Sequence, residues 1–210
     1  MKEKKRILPV LPAKLPRYDL ELEDEGIVEA SFIENQLLTE IDFHHLFFKE
    51  CHFKKLLLPG SRLRHFECVN VVFENCDFSN ADWIGSSFHQ VEFRGCKLTG
   101  INFAEGYFKD CLFDDCMLDY ASFAASTLKV THFEKNRLNQ SDFTEVDWQH
   151  LKLTDCELTQ SQWFHTKLNK LDLSENRFDA IAFSPESIHG LIINAEQALV
   201  IAGTLGVKIK

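Results

Sequence analysis

The fold is decided by a stretch in which a large apolar residue returns at every fifth position. Val71–Phe123 reads VVFENCDFSNADWIGSSFHQVEFRGCKLTGINFAEGYFKDCLFDDCMLDYASF. A period of five matches neither the helix, with about 3.6 residues per turn, nor the strand, with about two. A fixed short period is instead typical of a solenoid. The repeated positions, called centres below, are Phe73, Phe78, Trp83, Phe88, Phe93, Leu98, Phe103, Phe108, Phe113, Leu118 and Phe123.

The same register runs from Val28 to Ile193 without a break. It contains all three Trp and all but four of the 19 Phe. The position two residues before a centre is usually small, and six of the seven cysteines occupy it: Cys51, Cys76, Cys96, Cys111, Cys116 and Cys156. Because Ala, Ser and Thr fill the same position elsewhere, we expect reduced core thiols rather than disulfides or metal ligands.

The register is weakest in Lys54–Cys68. Large residues, Leu56 and Phe66, stand where small ones are expected, and Cys68 stands at a centre. Pro59 and Gly60 form a turn signal between them. The sequence therefore predicts a distorted coil or a protruding loop whose length preserves the count.

The units CDFSN, ADWIG, CKLTG, INFAE, CLFDD, ASFAA, SDFTE and CELTQ resemble the pentapeptide-repeat family. The resemblance implies an all-β fold, a right-handed quadrilateral parallel β-helix with four pentapeptides per coil. Residues twenty apart would then stack at roughly 4.8 Å. We expect residues 1–27 to form an N-terminal extension or cap, residues 28–193 the β-helix, and residues 194–210 a helix and strand for dimerisation or capping.

The first 17 residues are basic and contain Pro9, Pro12 and Pro16, which favour an extended chain. The following segment, Tyr18–Asp42, holds nine acids and no Lys or Arg. The simplest interpretation is a tail followed by a solvated first coil. The alternative is that the basic arm folds back on an acidic face or on a partner.

The C-terminal residues contain a helix signal. Asn194 is a candidate N-cap with Gln197 three residues later, which is the spacing of a capping box. We expect a helix over Ala195–Ala202, closed by Gly203 or Gly206. The alternation from Val207 onward predicts a short final strand.

The sequence shows no motif for catalysis or for cofactor binding. The nine histidines have no metal-ligand spacing, and no CxxC, phosphate-binding loop or nucleophile motif occurs. We therefore predict no enzyme activity and no catalytic, cofactor or metal residue. A net charge of −9 argues against direct binding of nucleic acid. No signal peptide and no membrane-spanning segment is recognisable, so we expect a cytoplasmic protein.

With a filled interior, function is expected on the outward positions. Sorting the charges by twenty-residue coil places the acids of residues 71–193 on two opposite faces, those of Phe73 and of Trp83. They are either ordinary solvated charge or a protein-binding surface for a partner with a basic groove. The candidate residues are Glu74, Asp82, Glu92, Glu105, Asp114, Asp115, Glu134, Asp142 and Glu145.

Within the family, this chain is similar to the quinolone-resistance pentapeptide proteins. The resemblance implies a DNA mimic that binds DNA gyrase or topoisomerase IV, and a homodimer formed through the C-terminus. The chain departs from them in its basic N-terminus and in having one candidate loop, Lys54–His65. The alternative function is a non-enzymatic structural or adaptor scaffold for another protein. The predicted dimer residues are Ala195, Leu199, Val200, Ile201 and Leu205.

Overall fold

The computed structural model describes residues 4–208, which form a rod of stacked coils. Strands pair in parallel with the residue twenty positions later, from Ile27 with Phe47 to the bridge between Asp172 and Ile192. About eight coils follow one another. The quadrilateral parallel β-helix with one short C-terminal helix is therefore confirmed.

Each side of the rod carries one pentapeptide per coil, and we name each face after one inward residue. Two long strands, Glu67–Glu74 (β7) and Ser87–Arg94 (β8), pass around the corner between the Phe88 and Phe73 faces. The Phe88 face also holds Ile27–Glu29 (β1), Phe47–Lys49 (β4), Tyr107–Lys109 (β9), Thr127–Lys129 (β11) and Asp147–Gln149 (β13). The Phe73 face also holds Phe32–Glu34 (β2), His52–Lys54 (β5), Leu112–Asp114 (β10), His132–Glu134 (β12) and Lys152–Thr154 (β14).

The other two faces are built mostly from single bridges between coils. The Trp83 face contains four strands, Asp42–His44 (β3), Arg62–Arg64 (β6), Ser161–Trp163 (β15) and Ile181–Phe183 (β16). The Phe78 face is joined by bridges that run from Leu37 to Arg177 at twenty-residue intervals. A 3-10 turn, Pro185–Ser187, follows the last strand.

The interior is a stack of rings. Phe53, Phe73, Phe93, Phe113 and Phe133 lie above one another with ring centroids 4.7–5.1 Å apart and nearly parallel planes. Stacked rings at this separation add a modest stabilisation to the burial of their area. Since each ring touches the ring of the next coil, the stack fixes the register of the whole rod.

Lys54–Cys68 is neither a loop nor a distorted coil, so that prediction is wrong. Leu57 and Arg62 bridge to the coils on both sides, and Leu56, Phe66 and Cys68 are all fully buried. Phe66 fills the space that a ring at Cys68 would occupy, and it contacts the rings of Phe48 and Phe88 in the adjacent coils. The large and small positions have exchanged within one pentapeptide, so the coil keeps its volume.

Both ends of the rod are covered. At the N-terminal end Leu20 is buried and its N–H donates to Gln36 Oε1 at 2.9 Å. At the other end the helix Ala195–Thr204 (α1) begins at Asn194 with the predicted capping box. It runs two residues beyond the predicted end, and Gly206, at φ 80°, follows it.

The helix closes the last coil. The amide of Gln197 donates to the carbonyls of Leu173 and Asn176 at 2.8 and 2.7 Å, and Ile201 is buried. Residues 207–208 form no strand, and the rest of the predicted final strand lies outside the described residues. No helix within residues 4–208 has the length and apolar character needed to cross a membrane.

The thiols are expected to be unreactive in the folded protein. All seven cysteines are free and buried, and burial raises the pKa of Cys51 and Cys156 to about 11 and that of Cys111 to about 12. Because the thiolate is the reactive species, a disulfide reagent at pH 8 should modify none of the seven in the native protein and all of them in guanidinium chloride. Rapid native modification of any one would contradict this packing.

The exchange between Phe66 and Cys68 predicts a compensating pair. Cys68→Phe alone should overfill the coil and lower stability by about 1–3 kcal/mol. Phe66→Cys alone should leave a cavity and cost about 3 kcal/mol. The double variant should lose at least about 1 kcal/mol less than the sum, measured by urea unfolding. Additive losses would show that the two side chains do not share one space.

Candidate functional site

The predicted acidic surface divides into two faces that differ in how their charges are paired. On the Phe73 face Glu74 accepts from Lys54 Nζ at 2.8 Å and lies 3.0 Å from His52 Nε2. The hydrogen bond from Lys54 is the largest effect that lowers the pKa of Glu74. This carboxylate is therefore already paired with the Lys54 ammonium of the preceding coil.

Glu92 lies on the same face and is not a surface residue, which corrects the prediction. Glu92 is 1% exposed. The Nη2 atom of Arg6 lies 2.6 Å from Glu92 Oε1. Arg94 pairs with the other carboxylate oxygen. A buried carboxylate needs such partners because an unpaired buried charge is costly.

The N-terminal arm supplies that partner because it folds back along the rod. The N–H of Ile7 donates to Asp110 Oδ1 at 3.1 Å, and the N–H of Val10 donates to Asn70 Oδ1 at 3.0 Å. Near its end Arg17 bridges to Phe32 of the first coil. The simple tail is therefore wrong, and the alternative, an arm folded on an acidic face, is confirmed for the described residues.

The remaining acids of the Phe73 face are more accessible. Asp115 is exposed, whereas Asp114 and Glu134 are partly buried. Glu134 Oε1 lies 3.9 Å from His132 Nδ1, and Asp114 lines the seam between the arm and the rod. The Phe73 face therefore presents few free acids where the arm lies.

Between residues 81 and 145 the Trp83 face carries its acids without Lys or Arg, whereas Arg62 and Arg64 lie on the same face one coil before Asp82. Its four pentapeptides from ADWIG to SDFTE contain no Lys or Arg. Glu105 and Glu145 are exposed, and Asp82 and Asp142 are partly buried. Within residues 4–208 none of these four forms an ion pair. They are the members of the predicted surface that remain available as negative charge.

Two of these carboxylates are fixed in position. Asn102 Nδ2, one coil later, donates to Asp82 Oδ1 at 2.8 Å. The N–H of Thr144 donates to Asp142 Oδ1 at 2.9 Å. Each hydrogen bond leaves the second carboxylate oxygen free for a partner. The two aspartates of the patch are therefore fixed acceptors, whereas Glu105 and Glu145 are exposed.

A notch beside Trp148 was not predicted from the sequence. β13 is the last strand on the Phe88 face, and the indole Nε1–H of Trp148 donates to the carbonyl of Lys167 at 2.6 Å. The ring opens a space of about 500 Å³ whose lining includes Glu145, His150, His165, Lys167 and Lys170. The available signal was a Trp at a centre whose stacked neighbours are Leu128 and Leu168. Its lining has both signs of charge, so it does not extend the acidic patch.

The predicted dimer residues do not share one surface. Ile201 is buried against its own rod, which corrects its assignment, and Val200 is partly buried there. Leu199 and Leu205 are 58% and 45% exposed, and Ala195 is exposed. An apolar outer side of the helix therefore stays uncovered in the single chain.

The surface offers recognition chemistry and no assembled metal site. No group of three or more His, Cys, Asp or Glu is placed to hold an ion in the part of the chain that the structure describes. The surface instead presents carboxylates and side-chain hydrogen-bond acceptors, which are groups that can bind a protein partner.

Comparison with known families matches two descriptions of repeat sequences. The description "Pentapeptide repeat region" matches residues 86–163, and "Pentapeptide repeats (8 copies)" matches residues 67–104. No curated protein matches the sequence.

Solved structures with similar folds include two trypsin-treated variants of QnrB1, described as a plasmid-mediated fluoroquinolone resistance protein. The first is 21% identical with a TM-score of 0.35, and the match covers 88% of this chain and 100% of that chain. The second is 22% identical with a TM-score of 0.37 and coverages of 92% and 96%. A third is HetL, a pentapeptide repeat protein involved in heterocyst differentiation regulation from the cyanobacterium Nostoc, which is 12% identical with a TM-score of 0.37 and coverages of 81% and 86%.

The matched units are the same pentapeptides that form the coils described above, including the cation-free part of the Trp83 face. Residues 67–163 of this chain are therefore pentapeptide repeats of the kind that these two descriptions cover.

Proposed function

We propose that the rod binds a type II topoisomerase, DNA gyrase or topoisomerase IV, in place of DNA and through the Trp83 face. The observation that supports this is the set of four carboxylates without an ion-pair partner within residues 4–208, Asp82, Glu105, Asp142 and Glu145, on the four repeats of this face that contain no Lys or Arg. The topoisomerase surface that normally holds DNA phosphates would receive them. The compartment proposed for the chain is accordingly the cytoplasm.

The spacing of the patch favours a groove rather than a point contact. Asp82 and Asp142 are three coils apart, which at the strand spacing is roughly 14 Å along the rod. Duplex DNA carries one charge per about 1.7 Å of axis, so the patch is far less dense than DNA. Affinity must therefore come from the shape of the rod as well as from charge, and the acids would mainly fix orientation and raise the association rate.

Removing the four charges tests the proposal directly. The wild-type protein should inhibit gyrase supercoiling at micromolar concentration. The quadruple variant with Asp82→Asn, Glu105→Gln, Asp142→Asn and Glu145→Gln should need on the order of tenfold more protein, because four rim charge pairs at roughly 0.2–1 kcal/mol each sum to about 1–4 kcal/mol. These amides keep the hydrogen bonds from Asn102 and Thr144.

The matched control removes four exposed acids from other faces. It carries Asp155→Asn, Glu157→Gln, Asp172→Asn and Glu175→Gln, and it should inhibit like the wild type. Repeating the assay with a fluoroquinolone shows whether binding also protects the enzyme. Absence of both inhibition and protection by the wild type would refute the proposal and favour the adaptor function with a different protein partner. Equal effects of both quadruple variants would refute the role of the Trp83 face.

We also propose that the chain forms a homodimer through the outer side of α1. Leu199 and Leu205 are exposed, as are Ile192 and Val207 at 47% and 55%. A two-fold contact would bury this patch on both copies at once. Because α1 already covers the last coil of its own rod, the contact would join the capped C-terminal ends of two rods.

Charged substitutions on this patch should separate the copies. Leu199→Glu with Leu205→Glu should halve the mass measured by light scattering while the circular dichroism and Tm of the rod stay nearly unchanged, because neither residue lies in the core. Glu196→Gln, on an exposed position of the same helix, serves as the control. A wild-type mass of one chain would contradict the dimer.

A further inference from the structure

The arm holds an extended peptide conformation on the rod through very few contacts. Arg6 is 10% exposed at its side chain and reaches a carboxylate that is 2% exposed. The neighbouring Ile7, Leu8 and Val10 are 53%, 60% and 66% exposed. Over residues 6–10 the arm is therefore held by one arginine and two backbone donors, and Ile7, Leu8 and Val10 add little burial.

The seam under the arm is loosely filled. A space of about 540 Å³ is bounded by Leu8, Pro9 and Leu11 of the arm and by Val72 and Leu112 of the rod, with Glu92 and Arg94 beside them. Arg6 Nη1 is buried there without a hydrogen-bond partner within residues 4–208. Segments with few buried contacts open at low free energy. The arm can consequently leave the rod without disturbing its core.

The surface under the arm is made of rod residues. With the arm in place, Glu92 supplies a buried carboxylate and Val72 and Leu112 supply an apolar floor. Asp110 and Asn70 each supply a side-chain acceptor at a corner of the rod. These two corners are two coils apart, roughly 10 Å, which three residues of extended chain, Ile7 to Val10, also span. The acceptors are therefore spaced for backbone donors of one extended segment.

We propose that this groove is a binding site for an extended, arginine-bearing segment of a partner protein, and that the arm occupies it in cis. The ligand needs one arginine for Glu92, backbone N–H groups one and four residues after it for Asp110 and Asn70, and apolar side chains between them. The tethered arm competes at the high effective concentration that a short linker gives. A partner segment must therefore displace the arm. Because Ile7, Leu8 and Val10 of the arm are exposed, a segment whose apolar side chains bury more surface against the rod would bind better.

This groove lies on the Phe73 face, opposite the Trp83 face, so it does not rest on topoisomerase binding. A chain that fails in the supercoiling assay can still bind the peptide, and the reverse also holds. The two proposals therefore fail independently.

The experiment uses the full chain with a substitution confined to the arm. Arg6→Glu should repel the arm from Glu92, whereas Lys5→Glu changes the charge of an exposed neighbour by the same amount. The probe is a fluorescein-labelled peptide of residues 4–14, KKRILPVLPAK, followed by anisotropy. We expect it to bind the Arg6→Glu chain at least about tenfold tighter than the wild type or the Lys5→Glu chain. The same peptide with its arginine replaced by alanine should bind at least about tenfold more weakly, as should the intact peptide to a chain carrying both Arg6→Glu and Glu92→Gln.

Two further measurements close the test. Hydrogen exchange at the amides of Ile7 and Val10 should become fast in Arg6→Glu and stay slow in Lys5→Glu, and Ile7→Pro, which removes the donor to Asp110, should release the arm in the same way. Fast exchange without peptide binding would overturn the proposal, and so would an arm that stays protected in Arg6→Glu. A wild-type dimer that Arg6→Glu converts to monomers would assign the groove to the arm of a second copy instead of a partner.

Discussion

The stacking of inward side chains at intervals of twenty residues is the constraint on which the rest of the structure depends. Each coil contacts only its neighbours, so the rings from Phe53 to Phe133 must lie directly above one another to keep both the core and the hydrogen-bond ladder. Through Lys170 the chain meets this requirement by turning at the residue two after each centre, where φ is positive even at non-glycine residues such as Val130 and Tyr120. Left-handed backbone at a β-branched residue is unfavourable alone. The stacked coils on both sides hold it in place.

The register was readable from the sequence because the same five-residue period encodes both burial and turning. The stretch Lys54–Cys68 forms a regular coil because the sizes of its inward positions compensate one another. Leu56 and Phe66 are large where most coils are small, yet Cys68 gives back the space that Phe66 takes. The interior requires a constant volume per coil rather than a fixed residue size at each position. At Trp148 no such compensation occurs. Its stacked neighbours Leu128 and Leu168 have the usual size, and a space of about 500 Å³ lies beside the Trp148 ring.

The charge of a face could not be counted from the repeats alone. Arg6 precedes Glu92 by 86 positions, and only the folded arm shows that these two side chains meet. Counting from Val71 to Ile193 predicted two acidic faces, but the structure leaves one of them partly neutralised by residues outside that range. The four acids of the Trp83 face, by contrast, form no ion pair within residues 4–208. Similarly, the helix signal at Asn194 was local and readable, whereas the burial of Ile201 depends on the position of the last coil.

The opposite positions of the two faces determine how they can influence each other. A segment in the groove over Glu92 and a partner on Asp82 or Glu105 do not compete for space, because the filled core separates them. The shortest route between the faces runs through rings such as Phe93 and Phe103, whose centroids are 6.0 Å apart. The structure shows a single arrangement of these close-packed rings, and a ligand can shift an equilibrium only between states that it binds differently. Binding free energies at the two faces should therefore add, and any coupling between them would have to come from the arm itself, since it alone can change position without breaking the stack.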